Sequence, residues 1–183
     1  MGTTESEQTT VATKYETTRF GLIEVLSSEI LVFPEGLLGF NQYHRYILIN
    51  EPEQAPFLWL QSLDEPDLAF VVIDPFFFFP GYEIGVKSHE LTAIQLDDLS
   101  QASVLTIVTV PGDPMNITTN LRGPVVINSA RKLAKQLVLI DDRYHTKHFL
   151  LRDIPPGLAT PPGKNNAGTE TESSAGEGTK PSP

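Results

Sequence analysis

The sequence predicts an all-β domain, an antiparallel sandwich or small barrel, on the basis of three observations. Short apolar segments rich in Val, Ile, Leu and Phe recur at near-regular spacing, and Pro, Gly and Asp separate them, which is typical of strands joined by turns. Segment 104–110 is apolar or β-branched at both alternating sets of positions, so we expect a strand buried on both faces. No long amphipathic helix pattern competes with this interpretation.

The elements follow one another between residues 18 and 151. The predicted strands are 20–25, 29–33, 45–50, 57–62, 68–73, 104–110, 124–127 and 144–151. Pro34, Gly36 and Gly39 interrupt regular structure after the second strand, where apolar neighbours pin the loop to the core. Segment 88–101 is expected to hold one or two short helical turns, with Leu91, Ile94, Leu96 and Leu99 facing inward. The segment after Ser129 has apolar residues at helical spacing, but its hairpin-like start favours a strand kinked by a bulge.

The composition divides the chain of 183 residues into one domain with two tails. Residues 1–15 are polar and are predicted to be disordered, and residues 16–154 form the domain. Residues 155–183 are rich in Pro, Gly, Ser, Thr and Glu. Such a segment buries too little apolar surface to offset the entropy lost on ordering, so it is predicted to be a disordered tail.

Net charge and cysteine content argue against several classes of function. The formal net charge is −10 and the sequence pI is about 4.8, which argues against nucleic-acid binding and against docking on anionic membranes. A basic protein partner would be attracted at long range. The chain has no cysteine, which excludes disulfides, thiolate metal sites and a cysteine nucleophile, and fits a reducing cytoplasm. No secretory signal and no membrane-spanning run is visible, so a cytoplasmic location is predicted.

Catalytic patterns have no positive support in the sequence. His145 and His148 are three residues apart, which on a strand places them on opposite faces, so we interpret them as surface histidines. Asp64, Asp67 and Asp74 bracket a strand, but each lies in a turn, where Asp serves backbone hydrogen bonding. We therefore predict neither an enzyme activity nor a cofactor or metal.

The least ordinary feature is the run of four phenylalanines at 76–79, followed by Pro80, Gly81 and Tyr82. Either two rings point into the core and two pack under a neighbouring loop, or the run is an exposed aromatic anchor for a protein partner. A polar connector, residues 116–122, is predicted to form an exposed loop between two core strands. Trp59 is predicted to lie in the core. The predicted protein-binding residues are Phe77, Phe78, Tyr82, Asn116, Thr118, Asn120 and Arg122.

Several motifs, taken in order, resemble one known family. They are FG at 20–21, FPEGLLGF at 33–40, PFLWLQS at 56–62, LAF at 68–70, IVTVP at 107–111, TNL at 119–121, PVVIN at 124–128 and QLVL at 136–139. Together they are similar to the FliW family of bacterial flagellar assembly factors over about residues 18–150.

The resemblance implies a small barrel-like all-β protein without cofactor or reaction. It implies two partners in the cytoplasm, flagellin and the RNA-binding translational repressor CsrA, whose repression the protein would relieve when flagellin is exported. The resemblance favours allosteric antagonism of CsrA over occupation of its RNA site. Two other classes stay open at this point: a small-ligand or carbohydrate-binding β-barrel with an open, polar-lined interior, and a hydrolase with converging carboxylates.

Overall fold

Strands dominate the structure, a computed structural model that describes residues 12–152. Within this range the strands are β1 (Ala12–Thr17), β2 (Gly21–Leu26), β3 (Leu31–Val32), β4 (Arg45–Ile49), β5 (Leu58–Ser62), β6 (Ala69–Ile73), β7 (Ser103–Thr109), β8 (Thr118–Thr119), β9 (Val125–Asn128), β10 (Leu133–Gln136) and β11 (His148–Phe149). The connections hold one helix, α1 (Ser88–Leu91), and the 3₁₀ turns Ser27–Glu29, Pro52–Gln54, Pro75–Phe77, Thr92–Ile94, Leu99–Gln101 and Pro114–Asn116. The predicted all-β class with short helical turns is confirmed. In residues 12–152, no helix has the length and apolar character needed to cross a membrane.

Seven of the described strands close into a barrel. Their order is β7–β6–β5–β4–β3–β10–β9, and β9 returns to pair with the first half of β7. The second half of β7 pairs with β8, and β11 extends the sheet beyond β8. These pairings are antiparallel, as predicted, except that β3 runs parallel to β10, with Val32 beside Leu133.

Side chains at alternate strand positions fill the barrel. Leu60, Val72 and Val125 are fully buried in one cluster, together with Phe33 and Tyr46. Residues two apart on a strand point to the same face, so one alternating set from each strand reaches this cluster. A barrel of this size is filled by its own side chains. We call this set the interior cluster.

Apolar layers also cover the outside of the barrel. The β1–β2 hairpin packs Val25 against Ile47 of β4, and the helical segment packs Leu91 and Ile94 against Val126 of β9. Leu96 is buried with them, and Leu99 packs on the same cluster. The prediction of inward-facing helical turns in 88–101 is confirmed. These layers explain why β7 and β9 are apolar on both faces.

Several predicted boundaries change. The strand predicted at 29–33 shrinks to β3, because Glu29 belongs to a 3₁₀ turn. Residues 12–15, predicted to be part of a disordered N-terminus, form most of β1, because all six of its residues pair with β2. The segment after Ser129 is a strand, as predicted, but only β10 is regular, and Lys132 before it has a φ of +57°. The last strand shrinks from 144–151 to β11. The remaining predicted tails, residues 1–11 and 155–183, lie outside the described residues.

The loop between β3 and β4 caps one end of the barrel. Leu37 is buried in the interior cluster and forms a β-bridge with Phe40. Gly36 has a φ of +68°, and its N–H donates to the Phe33 carbonyl at 3.0 Å. A Cβ at Gly36 would lie 2.6 Å from the Asn41 Cα. The loop can therefore fold back on itself only because residue 36 is glycine.

Candidate protein-binding surface

The run of phenylalanines begins as a capped 3₁₀ turn at the end of β6. The Asp74 carboxylate accepts the Phe76 N–H at 2.9 Å, and Pro75 occupies the first position of the turn, where its fixed φ and missing donor cost nothing. This turn leaves the side chains of Phe76 and Phe77 42% and 55% exposed. We call these two side chains the aromatic ledge.

The other two rings of the run point the opposite way. Phe78 and Phe79 pack against an outer cluster that contains Ile73, Val108 and Leu150. The ring centroids of Phe77 and Phe78 lie 5.3 Å apart in an edge-to-face arrangement. The four phenylalanines thus divide into two that anchor the turn and two that face solvent. The packed interpretation describes Phe78 and Phe79, and the role of an anchor for a partner stays a prediction for the exposed pair.

Tyr82, predicted as a binding residue, is 4% exposed, so in this conformation it supports the surface without presenting itself to a partner. Its hydroxyl donates to the Leu121 carbonyl at 2.6 Å, and its ring lies edge-on to Tyr144 at 4.8 Å. Burial raises the pKa of Tyr82, with a smaller contribution from Tyr144, so the hydroxyl stays a donor. This contact joins the aromatic run to the 116–122 segment.

The 116–122 segment is not the exposed loop that its polar sequence predicts. Thr118 and Thr119 form β8, and Thr118 is 5% exposed. The Thr119 hydroxyl donates to the Thr106 hydroxyl at 2.7 Å. Hydroxyls paired with each other and with the ladder can be buried at little cost, which is why a polar segment forms a buried strand here.

The remaining predicted residues are half-buried and carry structural hydrogen bonds. The Asn120 side-chain oxygen accepts the Gly123 N–H at 2.9 Å, which stabilises a turn. The Asn116 side-chain oxygen accepts from Arg152 at 2.6 Å. The Arg122 backbone pairs with His145 and Leu139, and no carboxylate among the described residues forms an ion pair with its guanidinium. Arg122 is therefore the polar member of the predicted set that is best able to take a partner's carboxylate.

Charged side chains border the aromatic run. Arg143 contacts Asp141 at 2.7 Å and Glu83 at 3.0 Å. The hydrogen bonds from Arg143 hold the pKa of the Asp141 carboxyl below its ordinary value. Arg143 and Glu83 are solvent-exposed and Asp141 is partly exposed, so the network sets the local charge pattern more than it stabilises the fold.

The hydrolase alternative required converging carboxylates, and the three candidates do not converge. Asp64 accepts from Arg45 at 2.7 Å, Asp67 accepts from Thr18, and Asp74 caps its turn at the opposite end of β6. The five residues of β6, which lie between Asp67 and Asp74, alone span roughly 17 Å. Within residues 12–152, no group of His, Asp and Glu has the arrangement of a metal site.

The two C-terminal histidines differ from their predicted placement on opposite faces of a strand. Their rings stack at 5.6 Å with an interplanar angle of 9°, and the His145 N–H donates to Nε2 of His148 at 2.8 Å. The reason is local, because His145 lies before β11 and outside any strand, so the alternation of a strand does not apply to it.

The small-ligand alternative required an open, polar-lined barrel. The interior cluster fills most of the barrel, and a depression of about 640 Å³ remains at the end opposite the Gly36 loop. The aliphatic side chains of Leu48, Leu58 and Leu105 line this depression together with Phe76, Glu29 and Lys132. Because the interior cluster occupies the centre of the barrel, the barrel does not have the open, polar-lined interior that this alternative required.

Trp59, predicted to lie in the core, is half-buried on the outside of β5. Its indole N–H donates to the Gln54 side-chain oxygen at 2.9 Å, and the Arg19 guanidinium lies 4.0 Å from the ring centroid. Leu58 and Leu60 occupy the interior positions instead. The prediction is wrong because β5 is apolar at both alternating sets, and composition does not reveal which set faces inward.

Trp59 lines a groove that sequence reasoning missed. The groove encloses about 750 Å³ on the outside of β5, β6 and β7. Its walls include Trp59, Ala69, Val71, Val108, Val110 and Ile117. We call it the outer groove. No local pattern signalled it, because Trp59 and Ala69 lie on different strands and only the pairing of β5 with β6 brings them to one face.

Comparison with known proteins identifies close similarities over nearly all the described residues. The family model described as FliW protein matches residues 14–150. The flagellar assembly factor FliW of Natranaerobius thermophilus is 46% identical over 141 residues, covering 76% of this chain and 93% of the relative. That of Geobacter sulfurreducens is 41% identical over 154 residues, covering 84% and 95%. The crystal structure of a flagellar assembly factor FliW superposes with a TM-score of 0.70 at 36% identity, covering 75% of this chain and 96% of the other.

Proposed function

This chain belongs to the FliW family, and from that membership we propose that it is a non-enzymatic, cytoplasmic flagellar assembly factor that binds flagellin and antagonises CsrA. The observation that carries the proposal is the family match over residues 14–150, together with relatives named flagellar assembly factor FliW. The role is that of a chaperone-like binding protein that couples flagellin translation to flagellin export.

Partner exchange is the proposed mechanism. While flagellin is abundant it occupies this protein, and CsrA represses flagellin translation. When flagellin has been exported, the freed protein binds CsrA and lifts the repression. The exchange needs only that bound flagellin lower the affinity for CsrA, and the reverse effect must then be equally large.

The aromatic ledge is the surface that we assign to partner contact. Exposed aromatic side chains are enriched among interface residues that contribute most to binding, and Phe76 and Phe77 are held by a capped turn on rigid strands. Little conformational entropy is therefore lost when a partner covers them. Arg122 supplies a cation on the segment that Tyr82 joins to the ledge.

The net charge of −10 supports a basic partner. A repressor that binds RNA phosphates carries such basic side chains. Opposite charges accelerate diffusional encounter more than they slow dissociation. We propose that CsrA is recognised away from its RNA site and that binding acts allosterically.

A three-component titration tests the proposal. Labelled flagellin mRNA leader is bound to CsrA, and this protein is added at several CsrA concentrations. Allosteric antagonism predicts that the apparent RNA dissociation constant rises to a plateau, whereas competition predicts a rise without limit. Adding flagellin should restore RNA binding in either case. If neither flagellin nor CsrA binds to the full chain, the proposed function is wrong.

Matched variants sharpen the assignment of the surface. Phe77→Ala should weaken one or both partners, whereas Leu22→Ala, an exposed apolar residue on the β1–β2 hairpin, should weaken neither. Equal effects of the two variants would show that the aromatic ledge is not the binding surface. They would not contradict the binding of flagellin and CsrA.

A further inference from the structure

The outer groove is apolar along β5, β6 and β7, and Arg19, Glu53 and Gln54 border it beside Trp59. Trp59 pairs across the sheet with Val71, and Val71 pairs with Val108, so three neighbouring strands present these side chains on one face. Val110, 56% exposed, extends the apolar surface beyond the end of β7. Ala69, two residues before Val71 on the same face of β6, adds a small side chain to the groove lining next to Trp59.

The described chain ends at one end of this groove. The Leu150 N–H donates to the Ile117 carbonyl at 3.0 Å, and Ile117 lines the groove. Two residues later, the Arg152 guanidinium donates to Asn116 at 2.6 Å and lies over the Phe149 ring. These contacts fix the point from which residues 153–183 continue.

The segment that follows has the composition of a groove ligand. Residues 153–162 read DIPPGLATPP, with Pro155-Pro156 and Pro161-Pro162 around Leu158. Such spacing favours the extended polyproline II conformation, which is solvated and already restricted before it binds. Proline-rich segments of this kind bind grooves lined by aromatic rings, with proline and aliphatic side chains between the rings.

We propose that residues 153–162 of this chain bind in the outer groove and cover Trp59. This inference gives a place to one part of the segment predicted to be a disordered tail, and it does not rest on the proposed partners. While the segment is bound, the groove is closed to other proteins.

The length of the segment is sufficient. Crossing from β8 to β5 covers three strand spacings, which is roughly 14 Å. A polyproline II segment advances about 3.1 Å per residue, so about five residues make the crossing and ten reach beyond the indole ring. The short tether also raises the local concentration into the millimolar range, so even a weak isolated affinity of ~0.5 mM gives a mostly bound segment.

The single tryptophan of the chain reports directly on the groove. We would measure acrylamide quenching of Trp59 fluorescence in the full chain, in a chain ending at Arg152, and in a chain ending at Asn166. The last keeps the proline-rich segment and removes the distal Glu-containing part, so it serves as the matched control. With a mostly bound segment, the quenching constant of the full chain and of the Asn166 form should be about twofold or more below that of the Arg152 form.

Point variants exclude a general effect of chain length. Leu158→Ser in the full chain should raise quenching to the level of the Arg152 form. Val110→Asp changes the groove instead of the segment, and it should also raise quenching to the level of the Arg152 form. A synthetic peptide of residues 153–162, added at millimolar concentration, should restore protection to the Arg152 form.

Equal quenching in the full chain and in the Arg152 form would overturn the proposal. Protection that is lost on dilution would overturn it too, because it would assign the groove to a second copy of the chain. Protection that persists in Leu158→Ser and in Val110→Asp would show that the segment does not use the groove. Each outcome leaves the binding of flagellin and CsrA to be decided by its own titration.

Discussion

Replacing Gly36 with alanine tests the account of the loop that caps the barrel. The backbone at Gly36 has a φ of +68°, which costs a residue with a Cβ about 1–2 kcal/mol. The new Cβ would also lie 2.6 Å from the Asn41 Cα and 2.8 Å from the Asn41 carbonyl oxygen. Backbone atoms cannot swing aside as a side chain can, so this overlap should add ~1–3 kcal/mol.

Gly39 provides the matched control. Its φ is +84°, but a Cβ there would meet no atom within 4 Å. Gly39→Ala therefore carries the cost of the backbone conformation without the overlap. The gain from a less flexible unfolded chain is the same for both replacements, so it cancels in the comparison. We expect Gly36→Ala to be less stable than Gly39→Ala by ~1–3 kcal/mol, or by roughly 3–10 °C in melting temperature.

Thermal and urea unfolding, followed by circular dichroism, measure both differences. Equal destabilisation by the two replacements would refute the close approach of residues 36 and 41. A change in the urea m-value would indicate a different extent of unfolding, and the comparison would then be repeated with hydrogen exchange at Leu37.

Four further predictions concern the core, the ledge, a buried hydroxyl and acid stability. Leu105→Ala, in the interior cluster, should lower the free energy of unfolding in urea by ~2–5 kcal/mol. Phe77→Ala should weaken a partner by ~1–3 kcal/mol in titration calorimetry while the melting temperature stays nearly unchanged; a large loss of stability would contradict its placement on the surface. The Tyr46 hydroxyl is buried without a partner among the described residues, and burial raises its pKa to about 12, so Tyr46→Phe should melt at the same or a higher temperature. Burial of Asp64 raises its pKa, but hydrogen bonds from the His44 N–H and from Arg45 outweigh this, so the net pKa is lowered. Its stabilisation is present above the unfolded pKa of about 3.9 and is lost as pH falls through the lower folded value, and Asp64→Asn should flatten stability against pH in this acidic window.

Strand positions were predictable because their pattern is local. β-branched and apolar residues at 104–110, stopped by Pro111 and Gly112, identify a buried strand without any knowledge of its neighbours. The short turns of 88–101 were predictable in the same way, from apolar spacing that is too short for a long helix.

The inward or outward direction of side chains was not predictable where both alternating sets are apolar. Trp59 and Leu60 are equally suited to the interior, and only the closure of the barrel decides between them. Thr118 fails for the opposite reason. Its polar neighbours indicate a loop, whereas the pairing of β8 with β7 buries both Thr118 and Thr119, and the Thr119 hydroxyl donates to that of Thr106 on the neighbouring strand.

The candidate surface was partly predictable. The sequence indicates that four adjacent phenylalanines cannot all face the core. Which pair is exposed depends on the turn that Asp74 caps, and this turn exposes Phe76 and Phe77. The buried role of Tyr82 depends on Leu121 and Tyr144, residues 39 and 62 positions further along the chain. Contacts at such separations leave no trace in local spacing.

The parallel pairing of Val32 with Leu133 determines when the ring can close during synthesis. The two residues are 101 positions apart (133 − 32), so at ~5–20 residues per second the ribosome needs roughly 5–20 s to deliver the second after the first. Throughout that interval, the strand that pairs with the free edge of β3 has not yet been made, so the backbone groups at this edge have no partner strand. Pairings between distant positions also form slowly once both are present. The period of greatest exposure to aggregation therefore falls before β10 emerges, and substitutions that make β3 more apolar should harm the yield of nascent protein more than the stability of the finished barrel.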